Sequence, residues 1–179
     1  MKYLLPAMVA VLALGWLAGP SEARMRMQAM KPATPEQFIQ KVANANEFEI
    51  QSSQLALDKS KNDAIRRFAQ RMIDDHTKIG DELKATLQQA NLPQPSAQLS
   101  EQDRALLTKL KIERQAAFDR NYVADQVKGH MQAVHLVGLY AKDGTNPVLK
   151  ELAAKTLPML QEHLKLAEAL SGRNLTARR

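Results

Sequence analysis

The sequence predicts an all-α fold: a four-helix bundle with a crossover segment between helices 2 and 3. Three observations carry this. Capping residues and Pro- or Gly-containing breaks cut the chain into long segments. Apolar residues inside each segment recur at three- and four-residue spacing. No segment shows the sustained alternation of a strand.

The elements follow in order. Thr34-Pro35-Glu36-Gln37 reads as a capping box with Pro at the first helical position. It opens helix 1, which runs to about Lys59 with Phe38, Val42, Ala45, Glu49, Ser52 and Ala56 as its stripe. Ser60 to Asp63 restarts the chain, with Ser60 as the expected cap. Helix 2 has the cleanest period, through Ile65, Ala69, Met72, His76, Ile79 and Leu83 to Thr86 and Ala90, and stops at Asn91-Leu92-Pro93-Gln94-Pro95. Ser100 and Asp103 begin the next helical stretch, which continues to Lys142. Its stripe is Val123, Val127, His130, Val134, Val137 and Ala141. Asp143-Gly144-Thr145-Asn146 is a turn, and Asn146-Pro147 caps the last helix, which ends near Ser171-Gly172. Its stripe runs through Leu149, Leu152 or Ala153, Thr156, Leu160, His163, Ala167 and Leu170.

Each of three seams carries one histidine, His76, His130 or His163, and the fourth carries Glu49. Their heights decide the topology. In a simple up-down-up-down bundle with a third helix starting at Ser100, His130 would stand about 45 Å up and could not join the others. If 91–111 is instead a crossover and the third core helix starts near Ile112, all four residues lie about 12–16 residues from one end of the bundle, or about 18–24 Å. A single long crossover between helices 2 and 3 is the ferritin-like connection.

The strings FEIQSSQLAL, FAQRMIDDHTKIGDELK, FDRNYVADQVKGHMQAV and LPMLQEHLKLAEAL resemble domain-of-unknown-function family 4142 (DUF4142) over about Phe38 to Leu170. The most specific pieces are Asp75-His76-Thr77, Phe118-Asp119-Arg120, Gly129-His130 and Leu157-Pro158 followed by His163. The resemblance implies an exported bacterial protein of ferritin-like fold with no assigned activity. Members are often labelled outer membrane proteins, but this chain has no β-barrel pattern.

The remaining sequence bounds compartment and chemistry. With 179 residues and 45% hydrophobic content the chain is one folded domain. Residues 1–23 read as a cleaved signal peptide: Lys2, an apolar stretch from Leu4 to Ala18, and Ser21-Glu22-Ala23 before the cut. An uncleaved anchor is the competing reading. Residues 24–33 form a basic N-terminal tail, 34–171 the bundle and 172–179 a basic C-terminal tail. The expected compartment is the periplasm, with no transmembrane segment in the mature chain.

The net charge of +6 resides in those tails, in Arg24, Arg26, Lys31, Arg173, Arg178 and Arg179, while Glu36 to Leu170 is balanced. A nucleic-acid partner needs a basic face on the folded body, so none is expected. The tails could contact an envelope protein or an anionic surface. Absent Cys rules out disulfides and thiolate chemistry, and no Gly-rich phosphate loop or G-x-S-x-G elbow occurs. An enzyme is therefore the least favoured class.

Two readings of the polar seam stand. In one, Glu49, His76, His130 and His163 hold a single transition metal ion (iron, zinc, copper or manganese), and the protein acts in metal handling or envelope stress. A ferritin-like di-iron centre needs Glu-x-x-His pairs, and Ile73, Val127 and Leu160 occupy the positions three before the histidines. In the other, the same residues form a metal-free polar network in a non-catalytic periplasmic interaction protein. Glu47 competes with Glu49 for the inward position. Asp75 and Glu162 are expected beside the site, and Met72, Met131 and Met159 as core filler. Asp119 is expected to pair with Lys59, Arg66 or Arg67.

Overall fold

The computed structural model describes residues 31–96 and 98–176. The expected signal peptide at 1–23, the tail up to residue 30 and the end of the C-terminal tail at 177–179 lie outside the described residues. Five helices are present among those described: α1 (Pro35–Lys59), α2 (Asp63–Gln89), α3 (Glu101–Ile112), α4 (Gln115–Asp143) and α5 (Pro147–Thr176). Helices α1, α2, α4 and α5 form the bundle, and α3 is the crossover helix. The helix α5 continues past the domain end placed at 171.

Local chemistry sets the boundaries. Thr34 Oγ1 accepts from Gln37 N at 3.3 Å, and Gln37 Oε1 accepts from Thr34 N at 3.2 Å, which completes the capping box. Asn62, not Ser60, caps α2: its Oδ1 accepts from Ala64 N and Ile65 N. Ser60 instead terminates α1 through its N–H to the Ala56 carbonyl. The end of α2 turns on Asn91, which has φ 52°. Leu92 N then reaches Leu87 O at 2.8 Å and Asn91 N reaches Gln88 O at 3.3 Å, so two carbonyls of the last turn are satisfied. Asn146 Oδ1 caps α5 through Val148 N and Leu149 N.

The bundle pairs α1 with α2 and α4 with α5, while α1 also faces α4 and α2 faces α5. Helix α3 lies against α1 and α4 on the outside. Its Leu107 and Leu110 are buried, and Lys59 Nζ donates to the Leu110 and Lys111 carbonyls at its C-terminal end. The crossover lets α4 run parallel to α2, as the height argument required.

The core has three tiers. At one end Phe38, Ile79, Leu83, Val137, Tyr140 and Leu149 form one apolar cluster, with Phe38 and Tyr140 stacked at 3.9 Å between centroids. At the other end Ile65, Met72, Leu110, Phe118, Tyr122 and Ala167 form a second. Between them lie buried polar residues, including Asn46, Glu49, Ser52, His76, Gln126, His130 and His163. The α2 stripe is buried as predicted through Leu83 and then passes to Leu87, because a straight helix drifts against a 3.5-residue repeat.

Two expectations need correction. Asp119 forms no ion pair with Lys59, Arg66 or Arg67, and its Oδ1 has no hydrogen-bond partner. Both Lys59 and Arg66 are drawn instead to backbone carbonyls at helix ends. Met131 is 56% exposed and fills no core, whereas Met72 does.

The crossover helix is anchored mainly by two leucines, so Leu110→Ala should cost about 2–5 kcal/mol in chemical denaturation. Lys111→Ala, which keeps the leucine in place, should change stability by less than about 1 kcal/mol.

Candidate metal centre

The three histidines come from three different helices and meet in the middle tier. Their ring centroids are 5.3–5.6 Å apart in every pairing. One ligand nitrogen of each lies within 4.8 Å of the other two, and all three residues are buried.

Each ring uses one nitrogen to bind the protein. His76 Nδ1 lies 2.9 Å from Asn46 Oδ1, His130 Nδ1 lies 2.9 Å from the Gln126 carbonyl, and His163 Nε2 lies 3.0 Å from Asp75 Oδ2. All three partners are oxygen acceptors. The bonded nitrogen of each ring must therefore carry the proton and donate it. This fixes the tautomers: His76 Nε2, His130 Nε2 and His163 Nδ1 retain lone pairs. Those three atoms are buried without a hydrogen-bond partner. An orphaned buried acceptor costs about 1–3 kcal/mol, and three on rings that face one another call for an occupant.

Burial also keeps the rings neutral. It pushes His76 well below the ordinary imidazole range, with further lowering from the other two rings. It pushes His130 down to about 4. His163 is lowered by burial too, against the opposing pull of Asp75. Asp75 behaves differently. Burial would raise its carboxyl, but hydrogen bonds from His163 and Arg71 and the Lys78 charge together hold it below the ordinary value. It is a carboxylate orienting a histidine, the usual outer support of a metal-bound imidazole.

Glu49 occupies the same tier but does not join the three histidines. Its closest approach is Oε1 to His130 Nδ1, at 3.9 Å, on the side of that ring tied to the Gln126 carbonyl. Its other oxygen accepts from Gln126 Nε2, which also reaches Ser52 Oγ at 3.2 Å. Burial pushes the Glu49 carboxyl up to about 8. Gly129 makes room for it, since a Cβ there would come within 2.9 Å of Glu49 Oε1. Glu47 lies farther out and accepts from Gln51 Nε2. Of the four seam residues, then, three face one another and the fourth stands behind one of them.

Asn46 and Gln126 were not singled out from the sequence. Gln126 stands four before His130, the spacing at which helical side chains share a face. Asn46 stands three before Glu49, but the weak α1 stripe pointed to Ala45 instead.

The profile of the family described as "Domain of unknown function (DUF4142)" matches residues 20–170. The chain belongs to this family. No curated protein matches it. Among solved structures it is similar to a DUF305 fragment from Deinococcus radiodurans, at 18% identity and TM-score 0.67 over 79% of this chain and 99% of that one. It is also similar to CopM in its Cu(II)-bound form, at 19% identity and TM-score 0.67 over 79% and 98%. A third is a DUF305 protein from Streptomyces coelicolor, inferred to be secreted, at 15% identity and TM-score 0.66 over 79% and 94%. These likenesses concern the fold.

The buried groups give the metal-free protein two opposed pH dependences. The histidines are depressed below an unfolded value of 6.5, so the stability of their neutral burial is present above about 6.5 and is lost as pH falls toward about 4. Glu49 is raised from 4.5 to about 8, so its contribution is full below 4.5 and is lost as pH rises through about 8. Denaturation across pH 4–9 should show stability falling at both ends, and Glu49→Gln should remove most of the alkaline fall alone.

Proposed function

We propose that this DUF4142 protein is an exported metal-handling protein that binds one transition metal ion at His76, His130 and His163. The observation that carries the reading is the set of three orphaned, buried imidazole nitrogens, each on a ring whose opposite nitrogen is held by an oxygen acceptor. Neutral imidazoles suit copper and zinc, and the group contains no carboxylate, which disfavours magnesium, manganese or a di-iron pair. A fold neighbour in a Cu(II)-bound form makes copper the first ion to try.

The residues that would hold the ion are fixed before it arrives. Asn46, the Gln126 carbonyl and Asp75 aim the rings, and desolvation keeps their protons off. The apolar clusters on either side exclude water from the layer. The bound ion would supply Lewis acidity, or one-electron chemistry if it is copper. Export is supported by the leader-like 1–23 and by a neighbour inferred to be secreted. No helix among the described residues is long and apolar enough to cross a membrane.

A metal-free network remains the second reading, favoured by the Glu49–Gln126–Ser52 chain of hydrogen bonds, which ties α1 to α4. It leaves the three inner nitrogens without a role.

Elemental mass spectrometry of the untagged mature chain should find about one copper or zinc per molecule. The His76→Ala, His163→Ala double variant should hold none. No metal in the wild type after reconstitution, or equal metal in the variant, sinks the reading. Asp75→Asn should weaken metal affinity about 10–100-fold without abolishing it.

A further inference from the structure

We propose that metal reaches the three histidines through the cleft between α1 and α2, with Asn46 and the His76 ring as its inner door. This rests on the metal-site reading above. The cleft has a volume of about 320 Å³ and is walled by Asn44, Asn46 and Glu47 of α1 and by Gly80, Leu83 and Lys84 of α2. Asn46 belongs to both compartments: it walls the cleft, and its Oδ1 holds His76 Nδ1 at 2.9 Å. Gly80 opposite leaves the amide its space, since a Cβ there would stand 3.0 Å from Asn46 Nδ2. One side chain and one hydrogen bond therefore separate the cleft from the first histidine.

Two other sides of the bundle are less suited to a cation. The α1–α4 side is covered by α3. On the α2–α5 side, Asp75 leads inward to His163, but Arg71 Nε lies 3.3 Å and Lys78 Nζ 3.5 Å from its carboxylate. Arg71 also reaches Glu162 Oε1 at 3.9 Å, so the carboxylates on that side are already taken up in ion pairs. The cleft offers the Glu47 carboxylate and the amide oxygens of Asn44 and Asn46, against the single charge of Lys84. Oxygen groups can capture an ion weakly and release it to nitrogen ligands that hold it better. When Asn46 swings away, the barrier between the cleft and His76 opens, and an ion can pass the ring edge to Nε2, the nitrogen left free for it. His76 is thus the first ligand the ion meets, while His130 is held by its own helix and His163 by an ionised carboxylate on the far side.

The test is the rate of uptake by the metal-free mature chain, with Zn²⁺ and in parallel with Cu²⁺. Stopped-flow would follow loss of the free ion from a fast indicator at low ionic strength. Glu47→Lys should slow uptake about tenfold or more, by reversing the local field, and leave the final stoichiometry unchanged. Gly80→Leu should slow it by filling the cleft; should that variant fail to fold, the surface change at Glu47 still decides. Lys78→Glu, on the opposite route, should stay within about twofold of the wild type. Normal stoichiometry with unaltered rates in Glu47→Lys, or faster uptake in Lys78→Glu, overturns the route and leaves the site standing. A wild type that takes up neither ion overturns both.

Discussion

Placing three imidazoles in the middle of a helical core is the constraint on which the rest of this structure depends. A neutral imidazole has a donor and an acceptor, and burial removes water from both. The protein satisfies the donor side three times, with three different acceptors: an amide oxygen, a main-chain carbonyl and a carboxylate. It leaves the acceptor side open three times. The apolar clusters above and below isolate the layer, and small residues at Gly80 and Gly129 give Asn46 and Glu49 their space. A core selected for stability alone would fill this tier with aliphatic side chains.

The two carboxyl groups nearest the rings show how position sets chemistry. Glu49 is buried at 4% exposure, and its carboxyl is raised to about 8, so it is mostly protonated at neutral pH and adds little negative charge to the tier. Asp75 lies toward the surface among Arg71, Lys78 and His163 and stays ionised. An ionised carboxylate polarises the ring it binds and raises the basicity of the opposite nitrogen. The three rings are therefore unequal: His163 is the most strongly polarised, and His76 and His130, each held by a neutral amide oxygen at 2.9 Å, are less so.

Much of this was legible in the sequence. The height argument needed only turn positions, a 1.5 Å rise and the need of buried imidazoles for partners, and it led to both the crossover and the shared layer. The cap of α2 was misplaced because Ser60 and Asn62 are both capping residue types, and only the path of the chain out of α1 chooses between them. Helix 1 was read less well. Its inner face carries Asn46, Ser52 and Ser53 beside Phe38 and Phe48, so a hydrophobic stripe describes it poorly. Met131 is expected in the core because it stands beside the seam position His130, yet it is 56% exposed.

The sequence by itself determined the helices, their order, the crossover and the meeting of three histidines at one height. These follow from periodicity, capping and rise per residue, which are properties of a chain segment alone. Only the tertiary structure decided which nitrogen of each ring is free, that Glu49 turns to Gln126 rather than to the histidines, and that Asn46 stands between a cleft and His76. Those outcomes depend on side-chain torsions and, His130 with its own-helix carbonyl apart, on partners 30 to 88 residues away in the chain. Spacing along one helix gives a residue's face and height, whereas the direction of a hydrogen bond is set by what packs opposite it.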